Sequence, residues 1–432
     1  MVEFARIGET CQVGDGTHSK IPRQDSGVLY LTSRNFKDGS LDLSKVYYIS
    51  EQDYANHFLG VGRALTSLIS GDLVFSIIGT IGEPYLVKDE DHFGISSSVA
   101  IVRPDRNILD PLFLLYWFKG STFQNALVGI KGGVAQGYVS LEMIRSLLVP
   151  RMPLSAQRRI ASILSAYDEL MKNNQRRIRL LEAMARAFYR EWFVQFRFPG
   201  HEKLPRVVSP CGDIPKGWEP IPFQNLLVSM TGGDWGSDQP TEDETAEVCI
   251  VRGTDFDEVA YGGELRAPVR FIKPSSFKSR GLRPGDVIVE NSINAKSRCI
   301  GNTLLVDDKV LARIGCDAVA ASFCKVFRLH DPRLAPLVHL HIRHLREDAR
   351  MEYYQNVAAN GIGNFQAQKF SKEEHLILPT DELLRFKLIE KIAKMFDGVS
   401  VLASQLSNLR RTRDLLLPRL LTGSLVLNGT NE

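Results

Sequence analysis

The sequence predicts an α+β protein: two mainly-β domains with a few helices each, separated by two long helices that pair as an antiparallel coiled coil. Three observations carry this expectation. The chain repeats itself, the segment closing each half has a 3.5-residue apolar period, and the stretches before those segments read as short apolar strands divided by Gly and Asp turns. With 432 residues, 44% of them hydrophobic and 24% charged, the chain is long enough for two or three domains and too apolar for disorder.

The repeat is ungapped at an offset of 229, setting Pro150 against Pro379, Ile160 against Ile389, Ile163 against Ile392, Tyr167 against Phe396, Asp168 against Asp397, Leu180 against Leu409 and Arg190 against Arg419. Upstream the correspondence weakens but keeps its order. Gly71-Asp72 matches Gly285-Asp286, Gly82 with Val87 matches Gly301 with Val306, Asp110-Pro111 matches Asp331-Pro332, and Phe123-Gln124 matches Tyr354-Gln355.

The first long helix is expected over about Ser155–Phe193, with Ile160, Tyr167, Ile178, Leu181, Phe188 and Trp192 among the residues of its seam. The second repeats the period through Ile392, Phe396, Val399, Leu402, Leu406, Leu409 and Leu420, with Arg413 falling on the seam. Two seams in one chain pair most economically with each other, and antiparallel pairing puts the two domains at opposite ends of a rod. Asn174, near the middle of the first seam, either fixes the register as a buried polar residue or is tolerated at a loosened point.

Between the halves, six of the 20 prolines fall between Pro199 and Pro222, which stops the helix and makes an extended linker. The expected divisions are therefore a first domain, 1–150; a central helical region, 151–198; the proline-rich linker and second domain, 199–378; and a C-terminal helical region, 379–432. Strands are expected at Val28–Thr32, Leu73–Ile78, Val99–Val102, Cys249–Arg252, Val287–Glu290 and Phe323–Phe327, with helices near 111–128 and 333–357.

Composition and motifs exclude most chemistry. The longest apolar run, Leu112–Phe118, is far short of the roughly 18 residues of a membrane span. Glu3, Arg6, Glu9 and Asp15 break any leader-like apolar core, so the expected compartment is the cytoplasm. Six cysteines without a C-x-x-C pair are expected to be reduced, scattered thiols and offer no zinc-ligand spacing. Net charge is −3 over 1–150, +6 over 151–200, −2 over 201–378 and +2 over 379–432, so the basic excess lies in the helical regions rather than in the domains.

A methyltransferase acting on an exocyclic amine would carry a Pro-Pro-aromatic site, and the chain has no Pro-Pro dipeptide. Phe58-Leu59-Gly60-Val61-Gly62 follows a polar segment rather than a buried strand, so it lacks the setting of a phosphate cradle. Gly132 to Gly137 has P-loop spacing but is followed by Tyr138-Val139 instead of Lys-Ser/Thr. There is no Pro-Asp closely followed by an Asp/Glu-x-Lys to hold a nuclease metal. No catalytic residue, metal site or cofactor of its own is expected.

Polar, aromatic and Gly-containing loops recur in both halves. Arg, Asn, Gln, Ser and Thr are the side chains that read base edges in the major groove, while Lys and backbone N–H groups hold phosphates. The candidates for binding DNA are His18, Lys20, Ser33, Arg34, Asn35, Lys37, Lys131, Gln136 and Tyr138 in the first half. In the second they are Trp235, Arg252, Thr254, Asn291, Asn294, Lys296, Arg298, Asn364, Gln366 and Lys369. The loops differ between halves, with Arg34 and His18 in one set against Arg252 and Trp235 in the other.

Four motifs then point to a family. They are Gly14-Asp15-Gly16-Thr17-His18 near the start, Pro153-Leu154-Ser155-Ala156-Gln157 leading through Ile160 to Asp168, Gly212-Asp213-Ile214-Pro215-Lys216-Gly217-Trp218, and Pro418-Arg419-Leu420-Leu421-Thr422-Gly423. With the repeat, they make the chain resemble a specificity subunit of a type I restriction-modification system, in which two target-recognition domains alternate with two helical spacer regions.

The resemblance implies a non-catalytic, sequence-specific DNA-binding subunit that reads a bipartite, interrupted, non-palindromic target in double-stranded DNA. It implies two modification subunits, which bind S-adenosylmethionine and methylate adenine N6, and restriction subunits that join them, with no cofactor in this chain and no membrane. The second helix has Leu383-Leu384-Arg385-Phe386 where the first has Leu154-Ser155-Ala156-Gln157, so the glutamine at the helix entry has no second copy. Two other readings stay open at this point: a coiled-coil scaffold with two protein-binding β domains, and a self-contained DNA methyltransferase.

Overall fold

The computed structural model describes residues 3–37, 39–59, 65–79, 81–129, 137–293, 299–357 and 363–422. The chain divides into two compact units, Met1–Glu169 with Arg411–Glu432, and Leu170–Arg410. Both divisions fall within a long helix, Leu154–Tyr189 and Glu382–Leu421.

The first unit is built on a four-stranded sheet whose spatial order is Cys11–Asp15, Val99–Pro104, Leu73–Ser76, Pro84–Leu86, antiparallel throughout. A second sheet sets Val28–Leu31 between Tyr47–Ile49 (antiparallel) and Phe93–Ile95 (parallel). A two-stranded ribbon pairs Glu3–Arg6 with Leu148–Arg151. The apolar helix Pro111–Lys119, started by Asp110, whose side chain accepts from the Phe113 N–H, buries Phe113, Leu114 and Phe118 against the large sheet. Leu164 and Leu420 of the long-helix segments join the same core.

The second unit repeats this plan in its four-stranded sheet, one of its two three-stranded sheets and its ribbon. Its four-stranded sheet runs Leu227–Gly232, Cys324–Leu329, Val287–Glu290, Thr303–Leu305. The matching three-stranded sheet sets Ala246–Val251 between Val269–Ile272 (antiparallel) and Ala318–Ala320 (parallel), and its ribbon pairs Trp218–Pro222 with His375–Pro379. The helix Ala335–Glu347 takes the place of Pro111–Lys119.

The two frames are held by the same ion pair. Arg103 donates through Nε and Nη2 to Asp72 at 2.8 and 2.7 Å, and Arg328 does so to Asp286 at 2.8 and 2.7 Å. Both carboxylates are 1% exposed. The glycines before them, Gly71 and Gly285, stand at φ +88° and +87°, where a side chain is strained, and each donates its N–H to a valine carbonyl, Val87 or Val306.

Within the second unit the segments of the two long helices pack antiparallel. Met171, Ile178, Val399, Leu402, Ala403 and Leu406 form a core cluster. Asn174 is 6% exposed, and its Nδ2 donates to Gln405 Oε1 at 3.1 Å. The bond joins a buried Asn174 to an exposed Gln405 across the helix pair, which favours a polar residue that pins the register over a loosened point. Within the first unit the seam arginine, Arg413, pairs with Asp168 at 2.8 Å, and Tyr116 donates to the same carboxylate at 2.9 Å.

Three expectations need correction. The proline-rich segment is not a free linker: Arg206–Ser209 and Gly212–Pro215 form a hairpin, Trp218–Pro222 joins a ribbon, and Phe196, Phe198 and Trp218 are buried in the second unit's core. Pro does not prevent this, because two-stranded pairings leave one edge that needs no N–H. Cys249 and Cys316 form a disulfide, so these two are not free thiols; they are brought together by the parallel pairing of Ala246–Val251 with Ala318–Ala320. The helix near 333–357 is interrupted at Asp348, where the chain turns through Ala349 at φ +58° into a short 3-10 segment, Arg350–Tyr354.

Candidate nucleic-acid interface

In each unit a two-residue turn crosses from the small sheet to the large one, and the candidate loops are anchored on it. In the first, Ser97-Ser98 links Phe93–Ile95 to Val99–Pro104. The His18 loop is tied there by Gly16 N–H to Val99 O (3.1 Å), Thr17 N–H to Ile95 O (3.0 Å) and Ser97 N–H to Thr17 O (3.1 Å). The Arg34 loop is tied by Ser33 N–H to Ser98 Oγ at 3.0 Å. The Tyr138 segment is tied through Val139 N–H to Ile77 O and Ile77 N–H to Ser98 O, at 3.1 and 2.9 Å.

The second unit repeats four of these backbone ties around Ser322-Phe323. Gly233 N–H reaches Cys324 O at 3.2 Å, Asp234 N–H reaches Ala320 O at 2.9 Å, Asn291 N–H reaches Phe323 O at 2.8 Å and Phe365 N–H reaches Asn291 O at 2.8 Å. Gly16 and Gly233 fit because a Cβ at either would overlap the carbonyl oxygens of the crossing strand. Matching bonds make the residue correspondence explicit: His18 answers to Trp235, Arg34 to Thr254, Ser98 to Phe323 and Tyr138 to Asn364.

The structure therefore brings His18, Ser33, Arg34 and Tyr138 to one rim, and Trp235, Thr254, Asn291 and Asn364 to the other. His18, Lys20, Arg34, Lys37, Tyr138, Thr254 and Asn364 are exposed. His18 Nε2 lies 2.8 Å from Asp15 Oδ2. The Arg270 guanidinium lies over the Trp235 ring at 5.2 Å from its centroid. Beside it, burial works against the charge of Asp234, but hydrogen bonds from Ser276 and the Trp235 N–H, with Arg280 at 3.0 Å, hold its carboxyl below the usual range. Ser292 Oγ donates to Asn364 Oδ1 at 3.0 Å. Asn291 Oδ1 is enclosed without a hydrogen-bond partner.

Two candidates are bonded to their own turns, Asn35 buried and Arg252 partly exposed. Asn35 is 2% exposed: its Oδ1 accepts from the Thr32 N–H, and its Nδ2 donates to Asp42 O and Lys45 O. Arg252 grips Asp255 through Nε and Nη2, at 2.8 and 2.7 Å, and donates to Arg266 O; the bond to Asp255 raises its pKa. Each closes a 3-10 turn, Ser33–Asn35 or Gly253–Asp255. The signal for this was in the sequence, since Thr32 and Asn35 have capping-box spacing.

Gln366 precedes the helix Ala367–Glu373 and donates its N–H to Tyr354 O, and Lys369 Nζ sits 3.5 Å from the centroid of the Tyr353 ring. Lys131, Gln136, Asn294, Lys296 and Arg298 lie outside the described residues. The motif glutamine, Gln157, is 1% exposed and ties the helix entry to Asp110 N–H, Ile108 O and Met152 O, each at 2.8 Å. In the second unit its place is taken by Phe386, with Arg333 over its ring, and by Arg385, which donates to Pro379 O.

Among the described residues no group of three or more His, Cys, Asp or Glu is placed to hold a metal. Of Phe58-Leu59-Gly60-Val61-Gly62 the described part closes a helix, Glu51–Phe58, rather than a strand. A cavity of about 420 Å³ in the second unit is lined by Tyr189, His341, Arg350 and Glu374. These side chains bond one another, and burial raises the Tyr189 hydroxyl far above its ordinary pKa, so the cluster holds structure together rather than offering a nucleophile.

Residues 2–183 match the family model for the type I restriction modification DNA specificity domain. The chain resembles type I restriction-modification specificity subunits. The MjaX specificity subunit of Methanocaldococcus jannaschii is 25% identical over 221 residues, covering 49% of either chain. The MjaIX subunit of the same organism is 21% identical over 328 residues, 72% of this chain and 68% of that one. The HindI specificity subunit of Haemophilus influenzae is 22% identical over 441 residues, 84% of this chain and 88% of that one. The first of these relatives is thus matched over about half its length.

The specificity subunit of M. genitalium has the same fold, with a TM-score of 0.59 at 14% identity over 97% of this chain and 96% of that one. Among the described residues no helix is long and apolar enough to cross a membrane.

Proposed function

We propose that the chain is the sequence-specific DNA-binding subunit of a type I restriction-modification system. The observation that carries this reading is one frame built twice with unlike residues at equivalent rim positions: His18 against Trp235, Arg34 against Thr254, Tyr138 against Asn364. Two such rims read two different half-sites, so the target is bipartite, interrupted and non-palindromic.

His18, Ser33, Arg34 and Tyr138, with Gln136, read bases of the first half-site, and Lys20, Lys37 and Lys131 hold its phosphates. Trp235, Thr254, Asn291 and Asn364, with Asn294, Gln366 and Arg298, read the second, where Lys296 and Lys369 hold phosphates. The recognition domains are 1–150 and 199–378, and the helical regions 151–198 and 379–432 separate them. The chain has no cofactor and no catalysis of its own. Two modification subunits, binding S-adenosylmethionine, methylate adenine N6, and restriction subunits cleave unmodified DNA, all in the cytoplasm. Near-neutral recognition domains suit this division, because partners add phosphate contacts.

The helices set the distance between half-sites. Inserting one heptad in both adds about 10 Å at ~1.5 Å per residue, or roughly three base pairs, to the unread spacer. Methylome sequencing of a strain expressing the chain with its partners tests the reading. Adenine methylation confined to one two-part motif supports it; methylation by the purified chain alone, or no sequence-dependent DNA binding at all, overturns it in favour of a methyltransferase or a protein-binding scaffold.

A further inference from the structure

Phe323 is 61% exposed. Single exposed apolar residues are ordinary on soluble proteins; what distinguishes this one is its seat. It lies on the two-residue turn that joins Ala318–Ala320 to Cys324–Leu329, and the loops carrying Trp235, Thr254 and Asn291 are anchored within residues 320–324. Asp234 N–H bonds Ala320 O, Ala321 N–H bonds Val251 O, Asn291 N–H bonds Phe323 O and Gly233 N–H bonds Cys324 O. The ring therefore stands on a turn held on several sides by the loops that carry Trp235, Thr254 and Asn291.

The first unit puts a different group on the same turn. Its counterpart, Ser98, is hydrogen-bonded to Ser33 N–H and to Ser96 Oγ, at 3.0 and 2.7 Å. On its rim the exposed apolar side chains are instead Ile78 and Tyr138, 41% and 51% exposed, which bridge on the neighbouring segment. In the second unit the positions corresponding to those two are Ser292 and Asn364. Exposed apolar side chains thus stand at different rim positions in the two units, Ile78 and Tyr138 in one against Phe323 and Trp235 in the other, while matching backbone ties recur.

The apolar group that base edges present in the major groove is the C5-methyl of thymine. Resting on the DNA-reading function above, we infer that Phe323 is a specificity-determining residue that contacts a thymine methyl in the half-site read by the second domain. Removing one methyl from such a contact costs about 0.8 kcal/mol, roughly a fourfold loss of affinity.

The test uses the full chain with its modification subunits and two proteins, the wild type and Phe323→Ser, which installs the first domain's residue at an exposed position. The motif of each is selected from a randomised duplex pool, and each dT of the wild-type motif is then replaced singly by dU. The expected result is one position, in one half-site only, where dU weakens the wild type about fourfold while Phe323→Ser binds dT and dU duplexes equally and selects an unchanged other half-site. Equal binding of dT and dU by the wild type at every position overturns the inference while leaving sequence-specific reading intact. So does loss of affinity in Phe323→Ser without any change in dT/dU discrimination, which would make the ring a wedge between base steps. Failure of the wild type to select any motif overturns the DNA-reading function itself, and this inference with it.

Discussion

Arg103 and Arg328 occupy the same place in the two domains, and so do Arg34 and Thr254. The first pair is one residue type making the same bidentate bond to a buried aspartate, with the aspartate also accepting from a backbone N–H three residues earlier, Ile69 or Arg283. The second pair shares backbone geometry and nothing of its side-chain chemistry. Identity follows energetic necessity: a buried carboxylate tolerates only a partner that neutralises it, whereas a rim residue facing solvent carries no such constraint. The frame positions the loops, and the rim is free to differ.

The largest effect expected from this comparison comes from the frame. Arg103→Ala and Arg328→Ala each strand a carboxylate that is 1% exposed, and each should cost about 3–5 kcal/mol in chemical denaturation. Similar losses in the two variants support one frame built twice; a large loss in one and a trivial loss in the other would break the equivalence.

A second contrast is chemical. The Ile7 N–H bonds Leu147 O, and the equivalent Phe223 N–H bonds Glu374 O, so the second unit buries a glutamate where the first buries a leucine. Burial alone would raise the Glu374 pKa, but hydrogen bonds from His341 and Tyr354, with Arg350 nearby, hold it down to about 2. A carboxyl depressed in the folded state stabilises it above the unfolded pKa of about 4.3, and that stabilisation is lost as pH falls toward 2. Hydrogen exchange should show His375–Pro379 loosening over this pH window while Leu148–Arg151 holds, and Glu374→Gln should flatten the dependence. Equal acid sensitivity of both ribbons would contradict the contrast.

A smaller effect separates loop closure from reading. Asp255→Ala and Asn35→Ala remove the bonds that close the two 3-10 turns and should cost about 1–2 kcal/mol each. Arg252→Ala should lower stability while leaving the selected bases unchanged, because its guanidinium is spent on Asp255 and Arg266 O. A changed motif in Arg252→Ala would return that arginine to the rim.

What was legible in the sequence follows the same division. The long helices could be read because a seam enforces its period over many turns, and Asn174 and Arg413 stood out as polar residues on it. The offset repeat was visible where buried contacts constrain residues, at Gly71-Asp72 and Gly285-Asp286. It faded in the strands, where any β-branched or aliphatic residue fills a sheet core. The rim loops were recognisable by composition, but composition alone did not separate Asn35 and Arg252, which bond their own turns, from side chains left open to a base. Phe323 passed unremarked as part of a strand, since exposure at a turn has no periodicity to betray it. The prolines of 199–222 concealed an ordered hairpin, because a two-stranded pairing asks for few N–H donors.

The most direct test of one frame with two independent rims is to select motifs in parallel for the wild type, Arg34→Thr and Thr254→Arg, each assembled with its partners. Arg34 and Thr254 are exposed, so both substitutions should fold. The account predicts that Arg34→Thr relaxes one half-site by about 1–3 kcal/mol of base discrimination, that Thr254→Arg alters only the other, and that the spacer stays the same in all three. Changes falling in the same half-site for both variants, or a uniform weakening on every sequence, would contradict it.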